Sequence, residues 1–311
     1  MKRCEKMIEG ILPLWKEKGM TSFDCVFKVR RILGIKKIGH AGTLDPDVEG
    51  VLPLAIGSGT KVLEYMLESD KTYAGEITIG FSTATEDASG EIIERKGVTS
   101  PLSEEEVEAV LSQFTGEIEQ TPPMFSAVKV DGKRLYEYAF EGKEIERPSR
   151  KVQIHKIDRT NDISYDVENQ TASFQFDVTC SKGTYIRTLA VDIGRALGYP
   201  AHMSKLTRVK SGSITQEQTH TLEEIRQAVE ENRLAELLLP IDYALVDFPK
   251  YSLDDELWQK VKNGALLNES DFEIKEYPVL FTYKNQAVAL YEKHQTKIGK
   301  LIPKKMFKIE M

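Results

Sequence analysis

Cysteine, histidine and tryptophan are scarce in this sequence, at three, five and two residues out of 311. Cys4, Cys25 and Cys180 lie far apart without any CxxC or Cys/His spacing, so neither a disulfide framework nor a structural zinc site is supported. They read as small buried or incidental residues. No histidines are spaced as HxxxH or HExxH, which argues against a catalytic metal and leaves the chemistry to side chains. No apolar run approaches the ~20 residues that cross a bilayer, and Met1 to Gly10 is charged rather than a signal-peptide core. The chain is expected in the cytoplasm, with no membrane partner. Lys2, Arg3 and Lys6 precede a second methionine, Met7, and are assigned no role.

What is present is ordinary for a folded protein: 41% hydrophobic residues, enough for one large domain and a small one. A net charge of −7 argues at first against a nucleic-acid partner. The charge is segregated, however. Residues 2–40 carry ten Lys/Arg against four Asp/Glu and 182–210 carry six against one, whereas 64–119 carry three against fourteen. Two basic stretches on one face would make a local positive patch that the total conceals. A solvated mixed surface fits composition equally well.

Periodicity organises the chain. Ser22 reads as an N-cap before an amphipathic helix with Phe23, Val26 and Phe27 among its apolar positions, and Gly34 ends it. Residues 36–50, punctuated by Gly39, Gly42, Pro46 and Gly50, read as a loop before a buried strand over 51–56, with a helix from about 61 to 69. Alternation from Lys71 to Phe81 predicts a strand with Tyr73, Gly75, Ile77, Ile79 and Phe81 on its inner face. Ser103 with Glu106 caps another helix, and Asp131-Gly132 marks a tight turn. Residues 121–151, with two prolines, tyrosines and basic residues, suggest a mobile arm. A strand over 172–180 precedes a helix with Ile186, Leu189, Ala190, Ile193 and Leu197 at helical spacing, which puts Arg187 in its first turn. Thr221 with Glu224 opens a helix running towards Leu239, and 240–250 is a candidate boundary before a small tail. Strands and helices interspersed without regular alternation favour α+β over a doubly wound parallel sheet.

The segment richest in chemistry is Gly39-His40-Ala41-Gly42-Thr43-Leu44-Asp45-Pro46. Pro46 biases Asp45 towards extended geometry beside glycines that let a ligand approach the backbone, which suits a nucleophile and equally suits a simple turn. The wider run GHAGTLDPDVEGVLPLAIGSGTK, followed in order by SDKTYAGEITIG, TPPMFSAVKVDGKRLYEYA and CSKGTYIRTLAVDIGRALG, resembles the TruB family of tRNA pseudouridine synthases. The likeness spans about residues 19–210, and the tail around Lys262-Asn263-Gly264 is weakly similar to a PUA-like RNA-binding domain.

The resemblance implies a mixed, mainly antiparallel central sheet with flanking helices: a catalytic domain over 1–240, with 121–151 as an RNA-binding arm, and a PUA-like domain over 251–311. It implies isomerisation of the T-loop uridine at tRNA position 55 by base flipping, without cofactor or metal, in a monomer that needs no protein partner. Asp45 is then the nucleophile, Tyr73 packs on the target base, Arg187 pairs with Asp45, and His40 takes part in extracting the base. Tyr185 and Leu206 match positions that line the pocket. A guanidinium beside Asp45 would keep it ionised, and a tyrosine ring offers a flat stacking face. Taken singly, Arg187 also reads as a structural or phosphate-binding arginine, Tyr73 as core and His40 as a loop hydrogen-bonder. One departure stands out: where many relatives carry Asp-Lys-Pro, this chain has Trp15-Lys16-Glu17, retaining only Lys16 as a substrate or structural contact.

Three other functions compete with this one. They are an RNA-folding module with incidental catalytic residues, a subunit that works with a guide RNA and partner proteins, and a retaining glycosidase. The 121–151 arm disfavours the second, and the absence of a second carboxylate in a comparable motif disfavours the third. Whether Asp45 attacks the sugar or the ring carbon is open at this level.

Overall fold

The computed structural model describes residues 8–307. In chain order its main elements begin with strand β1 (Gly10–Lys16), helix α1 (Ser22–Leu33), β2 (Ile38–His40), β3 (Glu49–Ile56), α2 (Leu63–Glu68), β4 (Lys71–Ile79), β5 (Phe81–Thr83) and β6 (Ile92–Arg95). They continue with α3 (Glu104–Gln113), β7 (Gly116–Gln120), β8 (Lys129–Val130), β9 (Lys133–Arg134), α4 (Leu135–Phe140), β10 (Arg150–Arg159), β11 (Ser164–Asp166), β12 (Thr171–Cys180) and α5 (Ile186–Ala196). The remainder is β13 (Ala201–Ser211), β14 (Ile214–Thr215), α6 (Leu222–Glu230), β15 (Lys250–Ser252), α7 (Asp255–Val261), β16 (Leu267–Asn268), β17 (Val279–Tyr283), β18 (Gln286–Lys293) and β19 (Lys300–Met306).

The described residues divide into two compact units, one within 8–47, 51–67 and 212–307, the other of 48–50 and 68–211. In the second, β13, β4, β12, β10 and β7 lie side by side, each antiparallel to the next, with β11 added to β12. The first two residues of β3 run parallel to β13, Glu49 beside Thr207 and Gly50 beside Arg208, which makes the sheet mixed. Phe174, Phe176 and Val178 on β12 and Ile77 and Ile79 on β4 are buried, as period-two alternation requires of a sheet face packed into a core. The sheet face and the apolar face of α5 account for this arrangement, because Ile186, Leu189, Ala190 and Ile193 are all buried.

In the first unit, α1 and α6 pack with β1 and the body of β3 around Leu12, Leu14, Val26, Val29, Leu52, Leu54 and Ile225. The C-terminal strands form a five-stranded sheet in the order β15, β17, β18, β19, β16, with Trp258, Phe281, Tyr283 and Tyr291 in its own core. A further cluster joins Ile11 and Val51 to Leu280, Leu290 and Phe307, so apolar burial ties this small curled sheet to the N-terminal strands. Lys61 adds donations from Nζ to the carbonyls of Met306 and Phe307, at 2.9 and 3.2 Å. No helix among the described residues is long and apolar enough to cross a membrane.

The α+β class and mainly antiparallel sheet agree with the sequence expectation, and several local boundaries differ. Thr21, not Ser22, caps α1 through a reciprocal bond with Asp24. Phe23 and Phe27 are exposed at 63% and 53%, because the helix turns Cys25, Val26 and Val29 to the core instead. The loop over 36–50 contains β2, paired with β3, and β3 starts at Glu49. The strand from Lys71 stops at Ile79, since Gly80 at φ 124° breaks the alternation before Phe81. Helix α6 ends at Glu230 and gives way to a short 3₁₀ turn at Leu234–Glu236. Cys25 and Cys180 are buried free thiols, and Cys4 and residues 1–6 lie outside the described residues.

Candidate active site

Asp45 stands in the irregular stretch between β2 and β3, partly exposed, and both of its neighbours are anchored. On one side Ser22, 2% exposed at the start of α1, accepts from the Leu44 N–H at 2.9 Å and donates to the Leu44 carbonyl at 3.3 Å. On the other, the Pro46 carbonyl accepts from Lys16 Nζ at 3.1 Å and from the Gly19 N–H at 2.9 Å. Lys16 is fully buried at the end of β1. A charge there is tolerated only where polar partners surround it, and the Glu17 carbonyl at 3.2 Å supplies another. Leu44 is itself 4% exposed. The carboxylate is thus carried on a short span whose two ends have little freedom, although the span has no regular structure. His40, half-buried, closes β2 opposite Leu54, and the next residue, Ala41, donates its N–H to the Pro53 carbonyl at 2.9 Å.

Five residues beyond Asp45, Gly50 enters the sheet of the second unit beside Arg208, and Arg208 in turn lies opposite Tyr73 on β4. Only glycine fits here: a Cβ on Gly50 would lie 2.3 Å from the Arg208 carbonyl oxygen, and its φ is 129°. Tyr73 is half-buried between Arg208 on β13 and Val178 on β12. Two residues along, Gly75 leaves the space that Leu206 and Phe176 fill; a Cβ there would stand 2.6 Å from the Phe176 ring and 3.2 Å from Leu206. Leu206 is 9% exposed. Tyr73 and Leu206 therefore belong to neighbouring strands of one sheet, with the Gly75 gap between them.

Arg187 is 6% exposed in the first turn of α5. Its two terminal nitrogens donate to different carbonyls, Nη1 to Thr85 at 2.9 Å and Nη2 to Phe125 at 3.0 Å, and Nη1 lies 3.8 Å from Asp87 Oδ2. Divergent acceptors fix the plane of a guanidinium in a way a single ammonium cannot reproduce. Asp87 is oriented in turn by Thr85 Oγ1, Ser89 Oγ and the Ser89 N–H, at 2.6, 2.6 and 3.0 Å. Glu86 beside it sits at φ 65° and accepts from Thr188 Oγ1 at 2.7 Å; burial pushes its carboxyl up, and Thr188 and Arg187 partly offset this. Tyr185 caps α5 without a side-chain capping bond, its ring under the Arg150 guanidinium at 4.8 Å.

Several residues that shape the site carry no motif signal. Arg208, 1% exposed, is among the largest fully buried side chains, and Lys71 at the head of β4 is 6% exposed. Burial, with a smaller effect from Arg208, brings the Lys71 ammonium down to about 8. Only the register of β4 and β13 reveals their burial. The second basic stretch consequently offers less free charge than its count: Arg187 and Arg208 are buried, Lys205 pairs with Glu76 at 2.9 Å, Lys182 with Glu68, and Arg195 with Asp192 at 3.5 Å. In the first stretch Lys18, Lys28, Arg31, Lys36 and Lys37 are exposed. No group of three or more His, Cys, Asp or Glu residues suited to a metal ion occurs among the described residues.

Comparison with known proteins places this geometry in context. Residues 30–186 match the sequence model of the TruB family pseudouridylate synthase N-terminal domain, and 187–246 match the tRNA pseudouridylate synthase B C-terminal domain. The chain is 55% identical over 304 residues to the tRNA pseudouridine synthase B of Bacillus pumilus, covering 96% of this chain and 98% of that one. It is 51% identical over 297 residues to the protein of the same name from Halalkalibacterium halodurans, covering 96% and 97%. Among solved structures, a Cbf5-Nop10-Gar1 complex contains a chain that superimposes with a TM-score of 0.71 at 28% identity, covering 96% of this chain and 85% of that one. An H/ACA RNP bound to a substrate RNA containing 2′-deoxyuridine gives 0.70 at 25% identity, with coverage of 96% and 85%. The fold is that of the pseudouridine synthases, with a small PUA-like sheet at its C-terminus.

Proposed function

The chain belongs to the TruB family of pseudouridylate synthases, and we propose that it isomerises the T-loop uridine at position 55 of tRNA to pseudouridine with Asp45 as nucleophile. The observation that carries the proposal is full-length identity of about one half to proteins named tRNA pseudouridine synthase B. The anchoring of Leu44 and Pro46 on either side of Asp45 supports it, because a nucleophile must be held in near-attack geometry. The uridine is flipped out of the folded loop, with His40 taking part in its extraction and Tyr73 stacking on the base. Leu206 and Tyr185 line the pocket. Arg187 pairs with Asp45 and keeps it ionised through the water-excluded step. Lys16 contributes through the Pro46 carbonyl it holds. The bond from the sugar to the uracil nitrogen breaks, the uracil rotates, the sugar carbon bonds to a ring carbon, and that carbon loses its proton while the freed nitrogen takes one up, an isomerisation that consumes no cofactor.

Residues 1–240 would form the catalytic domain, with 121–151 as an RNA-binding arm, and 251–311 a PUA-like RNA-binding domain. The enzyme would act in the cytoplasm as a monomer. Of the solved relatives named above, one is from a complex with Nop10 and Gar1 and the other from an RNP, whereas the arm, which carries the β8–β9 hairpin and α4, favours a standalone enzyme. Purified protein incubated alone with unmodified tRNA transcript and then mapped for pseudouridine decides between these. Product at position 55 is expected, and Asp45→Asn should abolish it while tRNA binding stays within about tenfold, or about 1.4 kcal/mol. Product elsewhere, a requirement for added protein, or turnover by Asp45→Asn would refute the assignment.

A further inference from the structure

We propose that Gln120 is a positioning residue that holds the first turn of α5, and with it Tyr185 and Arg187, to the root of the arm. Gln120 is the last residue of β7 and is 1% exposed. Its side-chain amide meets the backbone of Tyr185 twice: Oε1 accepts from the Tyr185 N–H at 3.0 Å, and Nε2 donates to the Tyr185 carbonyl at 3.1 Å. A primary amide offers one acceptor and a donor side by side, the complement of a single residue's backbone, and this pairing reproduces a sheet-like contact at a helix start. The Tyr185 N–H is one of the N–H groups at the start of α5 that have no intrahelical partner, so Gln120 Oε1 supplies an acceptor the helix itself lacks. The two bonds are not equivalent. The Tyr185 carbonyl also accepts from the Leu189 N–H at 3.0 Å, so the bond that receives the Tyr185 N–H carries the weight of the contact.

The arm reaches the same turn by other routes. Arg150, the first residue of β10, lies directly opposite Gln120 in the ladder that closes the arm. Its guanidinium donates to the Gly183 carbonyl and covers the Tyr185 ring. Five residues past Gln120, the Phe125 carbonyl accepts from Arg187 Nη2. Arg147 holds the Pro122 carbonyl at 3.0 Å, and Thr121 and Ser149 join hydroxyls at 3.0 Å, so the base of the arm is cross-tied just beyond Gln120. The base of the arm and the start of α5 are thereby joined by several independent contacts, of which the Gln120 pair is the fully buried one. The role rests on the proposed reaction and extends it to a residue that touches neither substrate nor Asp45 in that scheme.

Two variants test the role in the intact protein. Gln120→Asn keeps the amide but is one methylene short and cannot span both bonds. Gln120→Glu keeps the length and the acceptor for the Tyr185 N–H, and a buried carboxyl that retains its proton also donates to the Tyr185 carbonyl in place of Nε2. Single-turnover rates at saturating enzyme and tRNA dissociation constants are measured for both. Gln120→Asn is expected to lose at least about tenfold in rate, equivalent to about 1.4 kcal/mol, with tRNA affinity within about threefold, and Gln120→Glu to recover most of the loss. A residue that merely fills the core would give the reverse order, because a buried carboxylate is the larger insult. The proposal is overturned if Gln120→Asn keeps its rate within about threefold, if affinity falls as far as rate, or if Gln120→Glu is the slower variant. Absence of product from the wild-type protein would instead remove the reaction itself, so the two failures are distinguishable.

Discussion

Ser22→Ala is the substitution through which the anchoring of the Asp45 loop can be measured. The Ser22 hydroxyl is the hinge between α1 and Leu44, taking the Leu44 N–H at 2.9 Å and giving its proton to the Leu44 carbonyl at 3.3 Å. Both residues are nearly inaccessible, so water does not readily replace the lost hydroxyl. Neutral hydrogen bonds of this kind contribute about 0.5–1.5 kcal/mol each, which puts the expected loss of stability at about 1–3 kcal/mol. The effect on rate has a different origin. Leu44 immediately precedes Asp45, and misplacing a reacting group by about 1 Å can cost roughly a hundredfold, so a fall of at least about tenfold in single-turnover rate is expected. Thr21→Ala is the matching control. It removes the cap of α1, worth about 1 kcal/mol, and makes no bond to the Asp45 loop. Urea unfolding alongside single-turnover assays separates stability from positioning: both variants should lose stability, and only Ser22→Ala should lose rate. A Ser22→Ala enzyme within about threefold of wild type, or equal rate losses in both, would refute the anchoring role.

Arg187→Lys should lower the single-turnover rate at least about tenfold, or about 1.4 kcal/mol, with little change in tRNA affinity, because one ammonium cannot serve the divergent Thr85 and Phe125 carbonyls; an affinity collapse at normal rate would make Arg187 a phosphate contact. Binding of tRNA should weaken steeply between about 50 and 200 mM salt. Charge reversal at exposed Lys28 or Lys36 should weaken it more than reversal at Lys205, which Glu76 already neutralises; filter binding showing a flat salt response would count against a basic RNA surface. Lys71 binds its proton less firmly in the folded chain, about 8 against 10.5, so from pH 8 to 10.5 the unfolded state carries more protons and unfolding free energy should rise with pH relative to Lys71→Met. Urea titrations at both ends of that window check the sign, and a flat or falling difference would show that the Lys71 ammonium is not destabilised by burial.

Where the sequence was legible, one local rule was enough. The Phe174, Phe176, Val178 alternation gave β12, the helical spacing from Ile186 to Leu197 gave α5, and Gly34 and Gly198 end their helices at φ 68° and 82° as αL residues do. Asp131 and Gly132 both take positive φ in the β8–β9 turn, which is why Asp-Gly marks such turns. The failures needed information from elsewhere in the chain. Phe23 and Phe27 fit an apolar helix stripe as well as Cys25 and Val26 do, and which stripe is buried depends on where β1, β3 and α6 lie. Gly80, its N–H drawn to the Pro200 carbonyl at 2.8 Å, ended a strand that the side-chain pattern would have continued. In each case the deciding contact joined residues that local periodicity cannot relate.

The candidate site divides along the same line, between the side chains proposed to meet the substrate and the contacts that hold them. Asp45, Tyr73 and Arg187 become candidates because a family resemblance attaches roles to those types at those positions. Their support was illegible because most of it ends on backbone. Ser22 binds Leu44, Lys16 binds Pro46, Arg187 binds Thr85 and Phe125, and Gln120 binds Tyr185, each through a main-chain carbonyl or N–H that every residue type except proline provides in full. A carbonyl acceptor leaves no trace in the identity of its residue, so such a bond can be read only from the donor, and then only after the fold has placed it. Ser22 shows how far this misleads. A serine at the start of an apolar stripe reads as a helix cap, yet Thr21 beside it takes that role, leaving the buried serine to bind the residue next to the candidate nucleophile. The same reasoning separates Lys16 from Lys18. The charges are alike in sequence, but one is fully buried against the Pro46 carbonyl and the other is exposed, so only the exposed one is available to phosphate.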